Sequence, residues 1–203
     1  MITSVQKKGT QAINYLARKK DGKINKMKAL KLIYFADRYH LRKYGRPIVG
    51  DTYWAMKFGP VGSNLLNIAD LSENKLEKNA LQYTREYLGH PKGDTKRLEV
   101  VSKKEVDLDV FSQSDIDALE NSYKEFGDKD QFELADVTHK YPEWARFKKE
   151  IVVEKKLRAR MDYMDFFKDP KDSDSGLFSM SDEDLSLSKA IYQENKEVAD
   201  ILG

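Results

Sequence analysis

Hydrophobic positions along this chain recur mostly with helical spacing, and the clearest run is also the most apolar. Over 26–44, Met27, Leu30, Ile33, Tyr34, Ala36, Leu41 and Tyr44 follow i, i+3, i+4, i+7 steps behind Asn25, a suitable N-cap. Leu32, Phe35 and Tyr39 widen the apolar arc beyond one stripe, the pattern of a helix central in its fold. Gly45 supplies the C-terminal stop and Pro47 blocks continuation. Upstream, residues 3–20 predict a helix with a looser stripe of Val5, Ala12, Tyr15 and Leu16, stopped at Asp21-Gly22. Downstream, Thr52–Phe58 alternates like a strand, with Trp54, Met56 and Phe58 on one face and Tyr53, Ala55 and Lys57 on the other. Gly59-Pro60 ends that strand, and Pro60 suits the first position of a helix over about 60–71.

The second half is also mainly helical. Residues 75–88 read equally as helix or loop, and 95–102 as a second short strand. Ser112, with Asp115 three residues on, opens a helix whose inner face is Ile116, Leu119, Tyr123 and Phe126, ended by Gly127. Short helices are expected over 131–139 and 142–150, the latter anchored by Trp144 and Phe147. Another is expected over 151–168, with Met161, Met164, Phe166 and Phe167. Residues 169–181, rich in Asp, Ser, Pro and Gly, read as a linker. A last helix over 182–201 is capped by Ser181, with acids at its positive end. The expected fold is mainly α, strictly α+β with a minor sheet: a compact helical domain with two or three short strands and a C-terminal helical extension. Leu30, Tyr34, Trp54, Met56 and Trp144 are the expected core.

Composition narrows the class. With 40% hydrophobic and 34% charged residues the chain reads as a soluble globular protein. The absence of cysteine excludes disulfides and thiolate metal sites. No apolar run reaches the ~18 residues of a bilayer span, and the first residues lack the apolar stretch of a signal peptide. No membrane association and a cytoplasmic location are the expectations. Charge is uneven: residues 1–60 hold 14 Lys and Arg against 3 Asp and Glu, whereas the remainder holds 22 against 31. Such asymmetry points to an acidic partner or nucleic acid, unless the acidic segments pack beside the basic one.

Candidate chemistry is sparse. His40, His90 and His139 are far apart, and Asp37 with His40 makes only a lone i, i+3 pair. There is no GxSxG elbow, Walker A or GxGxxG motif, and Pro60 removes a donor from the one glycine-rich turn. No catalytic residue, cofactor or metal is expected, and the chain reads as a non-enzyme. The central helix does carry a cationic stripe of Lys28, Lys31, Arg38 and Arg42 with Phe35 between them. These five residues are the partner-binding candidates, since cations interleaved with aromatics suit an acidic protein surface or a phosphate backbone. The plainer alternative is one solvated face of a buried helix.

Three blocks within this first half carry a family resemblance. Lys28–Asp37, the link Gly45–Pro47 and the turn Ala55–Val61 resemble the Panacea domain of SocA-like antitoxins. The capped helix Ser112–Phe126 and the block Glu133–Trp144, with Thr138-His139 and Pro142-Glu143-Trp144 in order, extend the resemblance over about residues 5–150. Ala29 departs from it, standing where the family more often has a larger aliphatic residue. Gly45, Pro47, Trp54, Gly59, Pro60 and Trp144 are its structural motif residues. The resemblance implies a domain over 1–150 and a helical extension over 151–203. It further implies the antitoxin of a bacterial or phage toxin–antitoxin pair, which binds a cognate protein toxin, encoded next to it, and masks the toxin's active site. An adaptor that delivers the toxin to a cellular protease is the alternative. A nucleic-acid-binding regulator using the basic first third is a different class, less well supported because no recognition helix is evident. The oligomeric state is left open.

Overall fold

The computed structural model describes residues 1–170 and 176–202, and its centre is the helix α2, Lys26–Tyr44. Every residue of α2 from Lys28 to Arg42 is buried, so the helix is enclosed around its circumference, as its wide apolar arc requires. Asn25 caps it by accepting from the Lys28 amide, and Gly45 ends it in the left-handed conformation, φ +70°. Packed on α2 are α1 (Ser4–Lys19), α5 (Gln113–Phe126), α6 (Gln131–Thr138) and the first half of α8 (Asp182–Leu202). Shorter helices α3 (Ser63–Ala69), α4 (Lys78–Tyr87) and α7 (Pro142–Ala145) complete a mainly α-helical fold.

Capping chemistry sets the helix starts. Ser112 and Asp115 form a reciprocal capping box, each side chain bonded to the other's backbone. Asp130 and Glu133 form a second, and Ser181 accepts from the Asp184 amide. The region read ambiguously over 75–88 is α4 followed directly by a strand.

Two small antiparallel sheets flank α2, more strand than the two or three segments expected. One has the order β1 (Lys23–Asn25), β5 (Glu99–Ser102), β4 (Leu88–Gly89). The other has the order β3 (Gly59–Gly62), β2 (Tyr53–Met56), β6 (Ala159–Arg160). Segments of two to four residues have too few alternations for periodicity to show.

The second sheet corrects three expectations. Gly59-Pro60 does not begin a helix: Lys57-Phe58 form the tip of a hairpin, and Pro60 lies opposite Ala55 in the edge strand β3. An edge strand tolerates proline because its outer N–H groups need no partner. The face of β2 is also reversed. Tyr53 and Ala55 are buried against α2, while Trp54 and Met56 are half-buried. Tyr53 faces inward because its hydroxyl donates to the Asp37 carboxylate, 2.9 Å away, inside the core. Trp54 lies under the Arg158 guanidinium, 4.3 Å from its ring centre. Leu30, Tyr34 and Trp144 are buried as expected. Trp144→Ala should therefore lower stability by about 3–5 kcal/mol, and Trp54→Ala by clearly less. Paired urea titrations of the two variants measure the difference.

The third correction is 151–168, which is not one helix. A π-type turn at Lys149–Val153 ends where Lys155 adopts φ +55°, β6 then pairs with β2, and a short 3₁₀ turn covers Tyr163–Phe167. The charged run Glu154-Lys155-Lys156 interrupts the apolar period that a helix would need. Phe166 and Phe167 are buried in the same core as α2. Of the expected linker 169–181, residues 171–175 lie outside the described residues. Gly176–Phe178 forms a short 3₁₀ turn whose Phe178 stacks on Phe126 and is buried, so that part is packed structure. No helix among the described residues is long and apolar enough to cross a membrane.

Candidate functional site

The motif residues converge on α2. Lys31 donates from Nζ to the Pro60 carbonyl, 2.7 Å away, fastening the hairpin to the helix. Trp144 of α7 donates from Nε1 to the Met56 carbonyl at 2.9 Å. His139 stacks on Trp144, centroids 3.7 Å apart, and Thr138 bonds back to the Ala135 carbonyl. Gly59, at φ +90°, sits where these parts meet: a Cβ there would overlap Thr138 Oγ1 and stand 2.9 Å from Lys31 Nζ. Sequence blocks about 80 residues apart thus form one junction.

A second group surrounds Asp37. Its carboxylate accepts from the amides of Ile48 and Val49, at 2.8 and 2.9 Å, and from Tyr53. It thereby fixes the loop after α2. Asp51 does the same one step later, accepting from the amides of Thr52, Asn64 and Leu65 to cap α3. Burial pushes Asp37 up to about 7, against the lowering effect of those three donors.

A third group lies between α2 and α7. Arg38 Nε donates to Glu143 at 2.8 Å, Tyr34 donates to the same carboxylate oxygen, and Arg38 Nη2 reaches the Lys168 carbonyl at 2.8 Å. The Arg38 guanidinium lies over the rings of Tyr141 and Phe178, 4.3 and 4.8 Å from their centres. Burial opposes its charge most strongly of any one effect, but Glu143, Tyr34 and Tyr141 together outweigh it and the pKa is raised. One turn on, Arg42 donates to the carbonyls of Phe166 and Phe178, at 3.1 and 3.2 Å, and pairs with Asp169.

The five partner-binding candidates are therefore corrected. Lys28, Lys31, Phe35, Arg38 and Arg42 do not form an exposed ridge; all five are buried. Lys28 donates to the Gly127 carbonyl and Phe35 stacks on Phe126 at 4.1 Å. Lys28 and Lys31 thus donate to backbone carbonyls, and Arg38 and Arg42 pair with the acids Glu143 and Asp169 of later segments. Sequence reasoning missed the acceptors: Asp37, Asp51 and Glu143. An acid inside the apolar arc of α2 was the available signal for Asp37.

What remains at the surface is different in kind. Phe58, at the hairpin tip, and Phe132 are 49% and 56% exposed and meet edge to face, centroids 6.4 Å apart. On α8, Leu187, Val198 and Ile201 are 62%, 50% and 82% exposed. Among the described residues no group of three or more His, Asp or Glu side chains is placed to hold a metal ion.

Lys31 gives this interior a measurable titration. Burial lowers its pKa from 10.5 to about 7. Between pH 7 and 10.5 the unfolded chain holds a proton that the folded chain has lost. The contribution of Lys31 to stability thus rises with pH across that window and is lost as pH falls through 7. Asp37 acts oppositely below it: its folded pKa lies above the ordinary 3.8, so its contribution falls as pH rises from about 4 to 7. Lys31→Met should flatten the rise in Tm between pH 7 and 10 while leaving the acid limb unchanged, a comparison two sets of melting curves make.

The motif residues thus act as mutual ties that hold helices and hairpin in register. The match to known families falls on the same segment: residues 30–145 match the family described as antitoxin SocA-like, Panacea domain. The chain belongs to that family of antitoxins. No curated protein and no solved structure is similar enough to the chain to count as a match.

Proposed function

We propose that this protein is a cytoplasmic antitoxin that neutralises a cognate protein toxin by direct binding, without catalysis of its own. The observation that carries the reading is the family match over 30–145, joined to the internal use of the motif side chains. Lys31, Asp37, Arg38, Arg42 and Glu143 are buried and bonded to the chain itself, so they support a shape. Binding is left to exposed surface outside these ties. Neutralisation by masking the toxin's active site requires tight binding: a nanomolar complex corresponds to about 12 kcal/mol and a standard-size interface of roughly 1,600 Å².

Co-expression with the product of the neighbouring reading frame tests this. Growth rescue together with a stoichiometric complex on gel filtration is the expected result. Rescue that depends on a cellular protease and on loss of the toxin would instead favour the protease-adaptor mechanism. Turnover of a nucleotide, peptide or nucleic acid by the purified chain, abolished by a point substitution, would overturn the non-catalytic reading.

A further inference from the structure

α8 has two different long faces. One face packs on the body: Leu185 and Tyr192 join the core, Tyr192 lies 5.9 Å from both Tyr163 and Phe167, and Ser188 is buried. The helix is seated close to the end of α2. A Cβ on Gly45 would stand 2.6 Å from the Ser188 carbonyl and 2.8 Å from Ile191. At 100° per residue, Leu187, Glu194, Val198 and Ile201 fall within about 60° of one another on the side turned away from the body, with Ile191 at the edge next to α2. From Gln193 to Ile201 every residue is exposed.

The charges around that outer stripe have one sign. Glu183 and Glu194 lie within it, and Asp184 and Glu197 border it. The two lysines of the helix, Lys189 and Lys196, fall on the opposite side, where they line hollows against the body with Phe167 and Tyr192. The stripe also borders a groove of about 770 Å³, whose walls include Tyr39, Lys43, Tyr44, Met180, Asp184 and Leu187, with Lys43 over the rings of Tyr39 and Tyr44. On the helix itself the apolar side chains are bordered by acids, a pattern complementary to an apolar cleft rimmed by Lys and Arg. α8 also lies outside the family match, which ends at 145.

We propose that the outer face of α8 is the toxin-docking surface, and that its occupant is a toxin whose substrate cleft is cationic. A protein that acts on RNA or DNA carries such a cleft, because it must neutralise phosphates. The acids of α8 would occupy the positions that phosphates take, while Leu187, Val198 and Ile201 fill the floor. This inference rests on the antitoxin reading and adds to it a surface and a class of partner. The hairpin tip with Phe58 and Phe132 is the competing surface, and there a cation, Lys57, lies over Phe58, whereas the outer stripe of α8 carries no Lys or Arg.

The test uses the full chain and the purified product of the neighbouring reading frame, with affinity measured by calorimetry at low and at physiological salt. Two variants alter only the outer face: Leu187→Ser with Val198→Ser, and Glu194→Lys with Glu197→Lys. Unchanged circular dichroism and Tm verify that α8 stays seated. Each is expected to weaken binding by about 30-fold or more, the scale of hot-spot loss. The charge-reversed variant should also lose the salt dependence of the wild type, and a short RNA should compete with wild-type binding. Binding within threefold of wild type by both variants would overturn the proposal, as would loss of binding only on Phe58→Ala or Phe132→Ala. A self-associated wild type made monomeric by Leu187→Ser, with toxin affinity intact, would assign the face to a second copy and overturn it too. If the wild-type chain itself does not bind the product, the antitoxin reading fails with the proposal. Normal binding by wild type and variants alike leaves the antitoxin reading standing and defeats only the assignment to α8.

Discussion

Reversing the two arginines of α2, Arg38→Glu with Arg42→Glu, is expected to abolish folding. Arg38 is fully buried and paired with Glu143, so a glutamate there sets two carboxylates together in the core. Leaving one partner of a buried pair uncompensated costs about 3–5 kcal/mol, and like charge adds to that. At Arg42 the substitution also strips donors from the carbonyls of Phe166 and Phe178. The sum approaches or exceeds the roughly 5–15 kcal/mol of net stability of a typical domain. Far-UV circular dichroism and solubility of the expressed variant measure the outcome. A soluble, native-like variant that has lost only toxin binding would show that the arginines face the partner after all. The milder Arg38→Met retains the volume without the charge but strands Glu143 and Tyr34; it should fold with a large fall in Tm.

The second large effect belongs to Gly59→Val. At φ +90° any side chain is strained, and a β-branched one most of all. Its Cβ would overlap Thr138 Oγ1, which cannot retreat easily because Thr138 is buried and bonded to Ala135. Lys31, 2.9 Å from the same point, would have to leave the Pro60 carbonyl. Strain of about 1–3 kcal/mol combines with overpacking of a similar size, so a loss of several kcal/mol is expected. Chemical denaturation measures it. If Gly59→Val keeps wild-type stability and loses rescue, the hairpin tip is a contact surface. Gly59→Ala with Thr138→Ala separates the two causes: losing Oγ1 removes that overlap and leaves the backbone strain, so only partial recovery relative to Thr138→Ala alone is expected.

Sequence and structure agree where one helix determines its own surroundings. The arc from Met27 to Tyr44 made α2 central, Gly45 ended it, and Ser112 with Asp115 began α5, because propensity, capping and 3.6-residue periodicity are local. The residues of the motif junction were likewise legible, each within its own block. Their meeting was not. Whether Lys31 faces solvent or the Pro60 carbonyl depends on a hairpin 29 residues away, and whether Arg38 is a surface cation or half of a buried pair depends on Glu143. A helical wheel shows angular position, not what encloses the wheel, so a polar stripe on a fully enclosed helix looks the same as a solvated one. The same ambiguity reversed β2: alternation separates two faces, but only the Tyr53 bond to Asp37 shows which is inside. By itself the sequence determined a mainly helical protein, its family and its central helix. Tertiary structure decided that the four cations of the α2 stripe hold the chain together, because groups distant in sequence are paired only when the fold brings them within hydrogen-bonding distance. It also decided that the apolar and acidic surface left unspent lies elsewhere, on α8.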